Sequence, residues 1–521
     1  MMFSVSKAAC ALAAAALLTL CATASADPLT VKTVDGKVHG KTINGDKVRA
    51  WLGLPYAAAP VGDLRWKAPQ PAAKWKGERD ATKFGAHCAQ NHVFDDMIFQ
   101  DDSKLGSEDC LFLNVYAPAT ANKNSKLPVM YWIHGGGYSG GSGNEPRHNG
   151  DFLPLKGVIL ITINYRLGVF GFLASSDLAK EQGGSAGNYG LMDMVAGLSW
   201  VKDNIKNFGG DPKNVTIFGE SAGSFAVSTL MASPMAKGLF AKVIGESGAA
   251  LGRGPLNYDT LADREQKDDK WVATLKVNTL AELRALPTEA ILAGVKRTGF
   301  PPDVDGKLLT EPVTDTYTAG KQAHVPLLAG WNADEGSFFA MRGMTAAQWK
   351  TTADTTFKDH AAEFVKLYPG DTDAQALRSA IDFGSDQFIA FTTWAWLDAH
   401  RKTGSAPVYR YHFELAATPS KFHPGTFAFH SDDIEYVFGT LDTRPGFNVR
   451  PEDRTLSEAV MTYWTNFART GDPNGTGVPN WPKYNDDGYP LIHLNSTITS
   501  GPDTLRDRYL FLEENMPPMR F

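Results

Sequence analysis

Short runs of apolar residues, many of them β-branched, recur along the chain and alternate with segments of helical periodicity. A strand with one solvent face alternates apolar and polar positions, whereas a strand covered on both faces is continuously apolar. The pattern therefore predicts an α/β fold, with a central, mostly parallel sheet and helices on both of its faces. The apolar runs are residues 128–133, 158–164, 215–218, 242–244, 325–329 and 408–413.

Helical periodicity is clearest at residues 191–207 and 457–470, with a shorter helical run at 224–231. Residues 257–298 are expected to form helical insertions between two strands of the sheet. No internal repeat, low-complexity tract or long Pro/Gly-rich linker divides the sequence after its N-terminal segment. We therefore expect residues 27–521 to form a single domain.

The first 26 residues differ from the rest of the chain. Lys7 supplies a positive charge, residues 8–20 are apolar, and the small residues Ala-Ser-Ala at 24–26 precede Asp27. This order is typical of a secretory signal peptide that is removed at residue 26. A membrane anchor is the weaker interpretation, because the apolar run is shorter than the roughly 20 residues that span a bilayer. The mature protein is expected to be secreted or periplasmic.

Composition and charge narrow the class of partner. The chain has 521 residues, of which 43% are hydrophobic and 21% charged, and its formal net charge is −6. It shows no basic face or polybasic patch, so neither nucleic acid nor a membrane span is expected. The sequence contains no dinucleotide fingerprint and no metal-ligand motif, so we expect no cofactor and no metal.

The cysteine count predicts one disulfide. Two of the four cysteines lie in the expected signal peptide, which leaves Cys88 and Cys110 in the mature chain. In an oxidising compartment such a pair favours a disulfide, and two buried free thiols are the alternative. Closing a loop of about 22 residues would stabilise the fold by roughly 3 kcal/mol on the loop-entropy model.

A candidate nucleophile, Ser221, lies in the sequence GESAG at residues 219–223, after the strand at 215–218 and before the helix at 224–231. A tight strand-to-helix turn needs small residues two before and two after the serine, so that its hydroxyl stays exposed. The helix N-terminus adds a positive dipole near the reacting oxygen. A structural turn is the alternative, and the flanking strand and helix favour a nucleophile.

A glycine-rich loop follows the strand at 128–133, with the sequence HGGGY at residues 134–138. Consecutive glycines let backbone N–H groups turn toward one point, which suits the oxyanion formed during acyl transfer, and Ala222 supplies another N–H. A flexible loop and a phosphate cradle are the alternatives. The phosphate cradle is disfavoured because no G-x-x-x-x-G-K-[ST] pattern accompanies the loop.

With these two motifs in place, the chain resembles the type B carboxylesterases over nearly all of its mature length. It also carries, in order, SEDCL at 107–111, NYRLG at 164–168, FGGDP at 208–212 and DEGSF at 334–338. The resemblance implies the α/β-hydrolase fold and a serine hydrolase that cleaves a small-molecule carboxylic ester to an acid and an alcohol.

The resemblance also supplies the two triad members that spacing alone cannot identify. The acid of the family is the Glu of the DEGSF motif, here Glu335, and its base precedes the element DIEYVFG, here His430. With Ser221 they follow the order Ser, Glu, His expected of α/β-hydrolases. Asp334 and His423 are the nearest competitors, but only Glu335 and His430 match the family elements.

Further site residues follow from the same resemblance. It assigns the oxyanion hole to the N–H groups of Gly136, Gly137 and Ala222. It also implies that Phe338 and Phe339 line the substrate gorge, although two adjacent phenylalanines are also ordinary core residues.

The resemblance also implies two ion pairs that recur in the family, which by motif position should join Arg65 to Glu108 and Arg166 to Asp193. Both would tie loops near the active site. If either pair lay far apart, the residue-by-residue match to the family would be shifted there.

Some positions depart from the family pattern. No Trp lies between Cys88 and Cys110, where cholinesterases place the Trp that stacks on choline, so a cholinesterase is not expected. Met194 and Glu246 occupy positions where many relatives have Gln, and the sequence offers no account of their effect.

Two other functions are compatible with this fold, a non-catalytic adhesion or binding protein and a peptidase. All three triad residues are present, which favours an enzyme, and the resemblance favours esterases over peptidases. The natural ester, the acyl-chain preference and the oligomeric state are left open by the sequence.

Overall fold

A large mixed β-sheet forms the centre of the protein. The computed structural model describes residues 27–100, 104–252, 258–295, 299–337, 343–420, 423 and 425–516. In that part of the chain the central sheet has eleven strands, and two small sheets accompany it. The strands are β1 (Thr30–Lys32), β2 (Lys37–His39), β3 (Lys41–Ile43), β4 (Val48–Pro55), β5 (Glu78–Asp80), β6 (Phe112–Pro118), β7 (Leu127–Ile133), β8 (Ile159–Ile163), β9 (Gly210–Glu220), β10 (Lys242–Glu246), β11 (Asp259–Thr260), β12 (Asp303–Val304), β13 (Leu327–Asn332), β14 (Val408–Phe413), β15 (Leu491–Leu494) and β16 (Thr499–Gly501).

The central sheet has the order β16-β15-β14-β13-β10-β9-β7-β8-β6-β4-β3. From β15 to β8 every neighbouring pair is parallel, and the strands at both ends are antiparallel. Parallel neighbours need crossover connections, which explains why helical segments alternate with the apolar runs. The predicted α/β fold with a mostly parallel sheet is confirmed.

Alternate residues of the central strands enter two different cores. In β7, Val129, Tyr131 and Ile133 lie in one buried cluster, and Met130 and Trp132 lie in the other. Successive side chains of a strand point to opposite faces, so both faces of the sheet are covered. This double burial is the reason that β7 has a continuously apolar sequence.

Helices provide the cover on both faces. Leu191 and Leu198 of α3 and Leu230 of α4 pack in the first cluster, whereas Val460 and Trp464 of α14 pack in the second. A π-helical turn, residues 386–390, separates α11 from α12. The helices are α1 (Gly168–Phe172), α2 (Ser176–Glu181), α3 (Tyr189–Asn204), α4 (Ala222–Ala232), α5 (Leu261–Thr274), α6 (Leu280–Ala285), α7 (Thr288–Ala293), α8 (Val313–Thr318), α9 (Ala346–Phe357), α10 (Ala361–Leu367), α11 (Asp373–Ser385), α12 (Phe391–Thr403), α13 (Ile434–Phe438), α14 (Pro451–Thr470) and α15 (Arg506–Asn515).

The element boundaries differ from the predicted ones at both ends, so that β13 ends three residues later and α3 three residues earlier than predicted. The strand predicted at 408–413 is β14 without change, but β9 begins at Gly210, because Gly210 pairs with Leu127 before a register shift. The helix predicted at 457–470 begins at Pro451, a residue favoured in the first helical turn. The predicted helical insertion contains α5, α6 and α7.

A disulfide and a buried ion pair hold the loop before β6. Cys88 and Cys110 are joined by a disulfide, as predicted. Arg65 Nε donates to Glu108 Oε2 at 2.6 Å, and the Thr288 hydroxyl donates to the other carboxylate oxygen at 2.6 Å. The ion pair therefore connects the disulfide loop to the start of α7, and the first predicted pair is confirmed.

The second predicted pair is also present, and it is bidentate. Arg166 Nε and Nη2 donate to the two carboxylate oxygens of Asp193 at 2.8 and 2.7 Å. Both side chains are almost fully buried, with 3% and 0% of their surface exposed. The pair ties the segment after β8 to α3, and both expected contacts support the residue-by-residue match.

Some predictions concern residues outside the described ranges. They are the signal peptide at residues 1–26 and the gorge residues Phe338 and Phe339. In the described part of the chain, no helix combines the length and the apolar character needed to cross a bilayer.

Candidate active site

Ser221 lies on the tight turn between β9 and α4. Its backbone has φ 53° and ψ −122°, a sparsely populated region that costs about 1–3 kcal/mol for a residue with a side chain. A Cβ at Gly219 would lie 2.5 Å from the carbonyl oxygen of Ile133, and a Cβ at Gly223 would overlap the same atom. The turn therefore requires glycine on both sides of the serine, as the GESAG pattern predicts.

His430 lies in the loop between β14 and α13 and connects two other side chains. Its Nε2 is 2.8 Å from Ser221 Oγ, and its Nδ1 is 2.5 Å from Glu335 Oε2. With the proton on Nδ1, the imidazole donates to the carboxylate and leaves Nε2 to accept from the serine hydroxyl. The structure thus brings the three predicted triad residues into one hydrogen-bonded chain.

Glu335 follows β13 and is fully buried. Its Oε1 accepts hydrogen bonds from the Ser247 hydroxyl at 2.5 Å and from the Asn332 N–H at 2.8 Å. These two donors hold the carboxylate so that its other oxygen faces His430. Ser247 is not found by sequence reasoning; the available signal is its position directly after β10, since ligand-binding residues of α/β folds cluster at the carboxyl ends of strands.

Asp334 and His423, the alternatives for the acid and the base, contact other residues. Asp334 accepts from Arg378 Nη1 at 2.6 Å. The ring of His423 stacks on Phe429 with 3.6 Å between centroids, and its Nε2 lies 3.9 Å from a carboxylate oxygen of Asp96. These contacts agree with the choice of Glu335 and His430 over their neighbours.

The glycine-rich loop runs directly beside Ser221. A Cβ at Gly135 would lie 3.1 Å from the Cβ of Ser221. Gly136 and Gly137 have φ of 105° and 61°, so the loop turns sharply after passing the serine. Ala222 is the first residue of α4, so its N–H has no acceptor within the helix. The loop and the start of α4 therefore meet at Ser221.

His134, the first residue of this loop, has a supporting position. It is buried, its Nδ1 lies 2.8 Å from the Gly135 carbonyl oxygen, and its ring stacks on Tyr165. Burial lowers the pKa of His134 to about 4, so the imidazole is neutral. These contacts agree with the expectation that His134 shapes the loop.

A second buried carboxylate faces His430. Oε1 of Glu220, the residue before the nucleophile, lies 3.3 Å from His430 Nε2. Burial raises the pKa of Glu220 to about 8. Burial lowers the pKa of His430, but Glu220 and Glu335 raise it more, to about 9. The imidazole and the Glu220 carboxylate therefore titrate as a coupled pair.

One apolar neighbour of the triad is also not found by sequence reasoning. Phe388 packs edge-on against His430, with ring centroids 5.1 Å apart. It lies in the π-helical turn between α11 and α12, and helical periodicity does not reveal such a turn.

The other two departures from the family pattern, Met194 and Glu246, are both buried, and the structure does not explain the replacement of Gln at either position. Met194 is buried in α3, and its backbone carbonyl accepts from the Tyr131 hydroxyl at 3.0 Å. The backbone carbonyl of Glu246 accepts from the Ser221 N–H at 2.9 Å, and its side chain accepts from Trp464 Nε1 at 2.7 Å. Glu246 therefore supports the nucleophile turn from β10.

The mixed sheet carries a strained serine turn at the end of β9, and hydrogen bonds link this serine to a histidine and a glutamate. These two features define the α/β-hydrolase class. The model of the carboxylesterase family matches residues 27–510. Para-nitrobenzyl esterase of Bacillus subtilis (strain 168) is 37% identical over 499 residues, which cover 92% of this chain and 98% of that protein. Fumonisin B1 esterase of Sphingopyxis macrogoltabida is 34% identical over 504 residues, which cover 91% and 88%.

A solved structure of a PNB esterase matches with a TM-score of 0.79 at 34% identity, covering 93% of this chain and 100% of that one. The chain therefore belongs to the carboxylesterase family, and it is a carboxylic ester hydrolase. The predicted family, fold and enzyme class are confirmed.

Proposed function

We propose that the protein cleaves a small carboxylic ester through an acyl-enzyme on Ser221, with His430 as general base and Glu335 as the acid that orients it. The observation that supports these roles is the unbroken chain of contacts, 2.8 Å from Ser221 Oγ to the imidazole and 2.5 Å from the imidazole to Glu335. The distance from Ser221 Oγ to His430 Nε2 lies within the hydrogen-bond reach that general-base catalysis requires.

Each step follows from this geometry. Ser221 Oγ attacks the ester carbonyl while Nε2 of His430 takes its proton, and the resulting imidazolium returns that proton to the departing alcohol. Glu335 keeps the imidazole in the required tautomer and offsets its transient positive charge. Water then attacks the acyl-enzyme by the same route and releases the acid.

The N–H groups of Gly136, Gly137 and Ala222 would bind the oxyanion of both tetrahedral intermediates. Support comes from the glycine-rich loop against the serine and from the N-terminus of α4 on the other side. Each donor would contribute about 3 kcal/mol, as single-donor deletions do in serine hydrolases.

A matched pair of histidine variants tests the base. His430→Ala should lower kcat by several orders of magnitude, because a triad acts as a unit. His423→Ala removes a nearby histidine that is held by Phe429 and Asp96, and it should change kcat little. If His423→Ala abolished turnover and His430→Ala did not, the assignment of the base would be wrong.

Covalent labelling tests the nucleophile separately. An organophosphate should modify the active protein at one residue, Ser221, and peptide mapping should find no label in Ser221→Ala. Labelling of another serine with loss of activity would refute the assignment.

The substrate side is tested with synthetic esters. We expect turnover of para-nitrophenyl acetate and none of a peptide anilide, which separates an esterase from a peptidase. A panel that varies the acyl and alcohol parts independently would define the preferred ester. Phe338→Ala and Phe339→Ala should then raise KM selectively within the panel if these residues line the gorge.

We also propose that the chain is exported after removal of residues 1–26 and that residues 27–521 form one domain. The Cys88–Cys110 disulfide supports export, because structural disulfides persist in oxidising compartments. N-terminal sequencing of the exported protein should begin at Asp27, and urea unfolding should show one transition. An N-terminus at Met1, or two separate transitions, would contradict these proposals.

A further inference from the structure

Two histidines and a glutamate converge at the carboxyl edge of the central sheet. His412 on β14 and His493 on β15 are direct register partners in a parallel pair, so their side chains lie side by side. Glu414 comes two residues after His412, which directs its side chain to the same face. The Nδ1 atoms of His412 and His493 lie 2.9 and 2.6 Å from the same oxygen, Glu414 Oε1.

We propose that His412, Glu414 and His493 bind a divalent transition-metal ion of the zinc type. One donor atom from each residue lies within 4.8 Å of the other two. With metal–ligand bonds of about 2.0–2.2 Å, tetrahedral ligands stand about 3.4 Å apart. Each imidazole nitrogen needs to move about 0.5–0.8 Å away from Glu414 Oε1, and the two nitrogens, which lie within 4.8 Å of each other, need to stand about 3.4 Å apart.

The donor set selects the class of ion. Imidazole nitrogens suit Zn²⁺ and neighbouring first-row ions, whereas Ca²⁺ and Mg²⁺ are bound by oxygen ligands alone or with water. The side chains of Glu414 and His493 are each 26% exposed, and that of His412 is 12% exposed. An ion here would therefore have three protein ligands and a coordination position open to water.

The pairing of β14 with β15 positions the three ligand residues without an ion. His412 and His493 are fixed by the parallel pairing of β14 with β15, and the N–H of Glu414 donates to the Leu494 carbonyl at 2.8 Å. Rotation of three side chains is then enough to form the site. The ion would cross-link β14 to β15, so its expected effect is on stability. This proposal departs from the sequence expectation of no metal, because His493 is 79 residues from Glu414 and only the sheet register brings it to the other two ligands.

Metal binding by the whole protein tests the site. After treatment with a chelator, the wild-type protein should take up one Zn²⁺ per chain in equilibrium dialysis. Glu414→Gln and His493→Asn should each weaken this binding at least about tenfold. His92→Asn is the matched control, because it removes a more exposed histidine that also pairs with a carboxylate, that of Asp95. It should bind like the wild type.

A second measurement does not depend on the folding of any variant. Co²⁺ added to the wild-type protein should give the intense visible absorption of a four-coordinate site, and Zn²⁺ should displace it while Ca²⁺ should not. No Zn²⁺ uptake by the wild type, equal uptake by all variants, or displacement of Co²⁺ by Ca²⁺ would each overturn the proposal. Ser221→Ala should bind Zn²⁺ normally, so this test is independent of the acyl-enzyme proposal.

Discussion

The pH dependence of turnover should change when Glu220 is replaced by Gln. The substitution keeps the size of the side chain and removes a carboxylate whose Oε1 lies 3.3 Å from His430 Nε2. A general base must be neutral to accept the proton of Ser221, so activity rises as pH passes upward through the pKa of the imidazole. Glu220 raises that pKa. Its removal should therefore shift the acid limb of the profile to lower pH.

The size of the shift follows from the distance and from the state of the carboxylate. An opposite charge within about 4–6 Å commonly moves a pKa by about 1–3 units, and Glu220 lies inside that range. Burial raises the pKa of Glu220 itself to about 8, so most of its charge is lost at neutral pH and is regained as pH rises toward the pKa of His430, about 9. We therefore expect the acid limb of kcat/KM to move down by about 1–2 pH units.

The assay is kcat/KM for para-nitrophenyl acetate from about pH 5 to pH 10, since this profile reports the base of the free enzyme. Glu145→Gln is the control, because Glu145 is also a buried carboxylate but pairs with Arg147 at 3.1 Å. It should leave the acid limb in place. An unchanged or upward-shifted limb in Glu220→Gln would refute the electrostatic reasoning.

Three further predictions concern stability. Burial raises the pKa of Glu246 well above its ordinary value. The folded state therefore keeps a proton that the unfolded chain releases above about pH 4.3, and this group makes the protein less stable as pH rises. The free energy of unfolding of Glu246→Gln, measured by urea titration, should therefore increase relative to that of wild type from pH 4 to pH 8. A difference between the two proteins that stays constant over this range would contradict the prediction. Asp193→Asn leaves Arg166 buried without its charge partner and should cost about 3–5 kcal/mol in the same assay. Replacing Cys88 and Cys110 together by Ser should cost roughly 3 kcal/mol relative to oxidised wild type, and reduced wild type should show the same loss.

Local features of the site could be predicted because short-range sterics determine them. Gly219 and Gly223 approach Ile133 too closely for any side chain, so the nucleophile turn has a recognisable sequence. The strand at 408–413 could be placed to the residue, because its two faces are buried along its whole length except at His412. The identity of the acid and the base came from family resemblance, since Glu335 and His430 are far from Ser221 in sequence.

Contacts that depend on three-dimensional placement could not be predicted. Ser247 reaches Glu335 only because β10 and β13 are parallel neighbours that end at the same edge. Phe388 reaches His430 through an irregular helical turn. His412 and His493 meet through strand register, which local hydrophobic pattern does not specify between distant segments.

The two carboxylates around His430 differ because their environments differ. Glu335 has two hydrogen-bond donors on Oε1, the Ser247 hydroxyl and the Asn332 N–H. Oε1 of Glu220 has no hydrogen-bond donor among the described residues, and burial therefore drives its pKa upward. These donors hold the carboxylate of the proposed orienting acid in place, whereas the protonation of Glu220 changes within the pH range of the assay. Environment, and not residue type, thus separates the proposed orienting acid from the carboxylate that is expected to tune the proposed base.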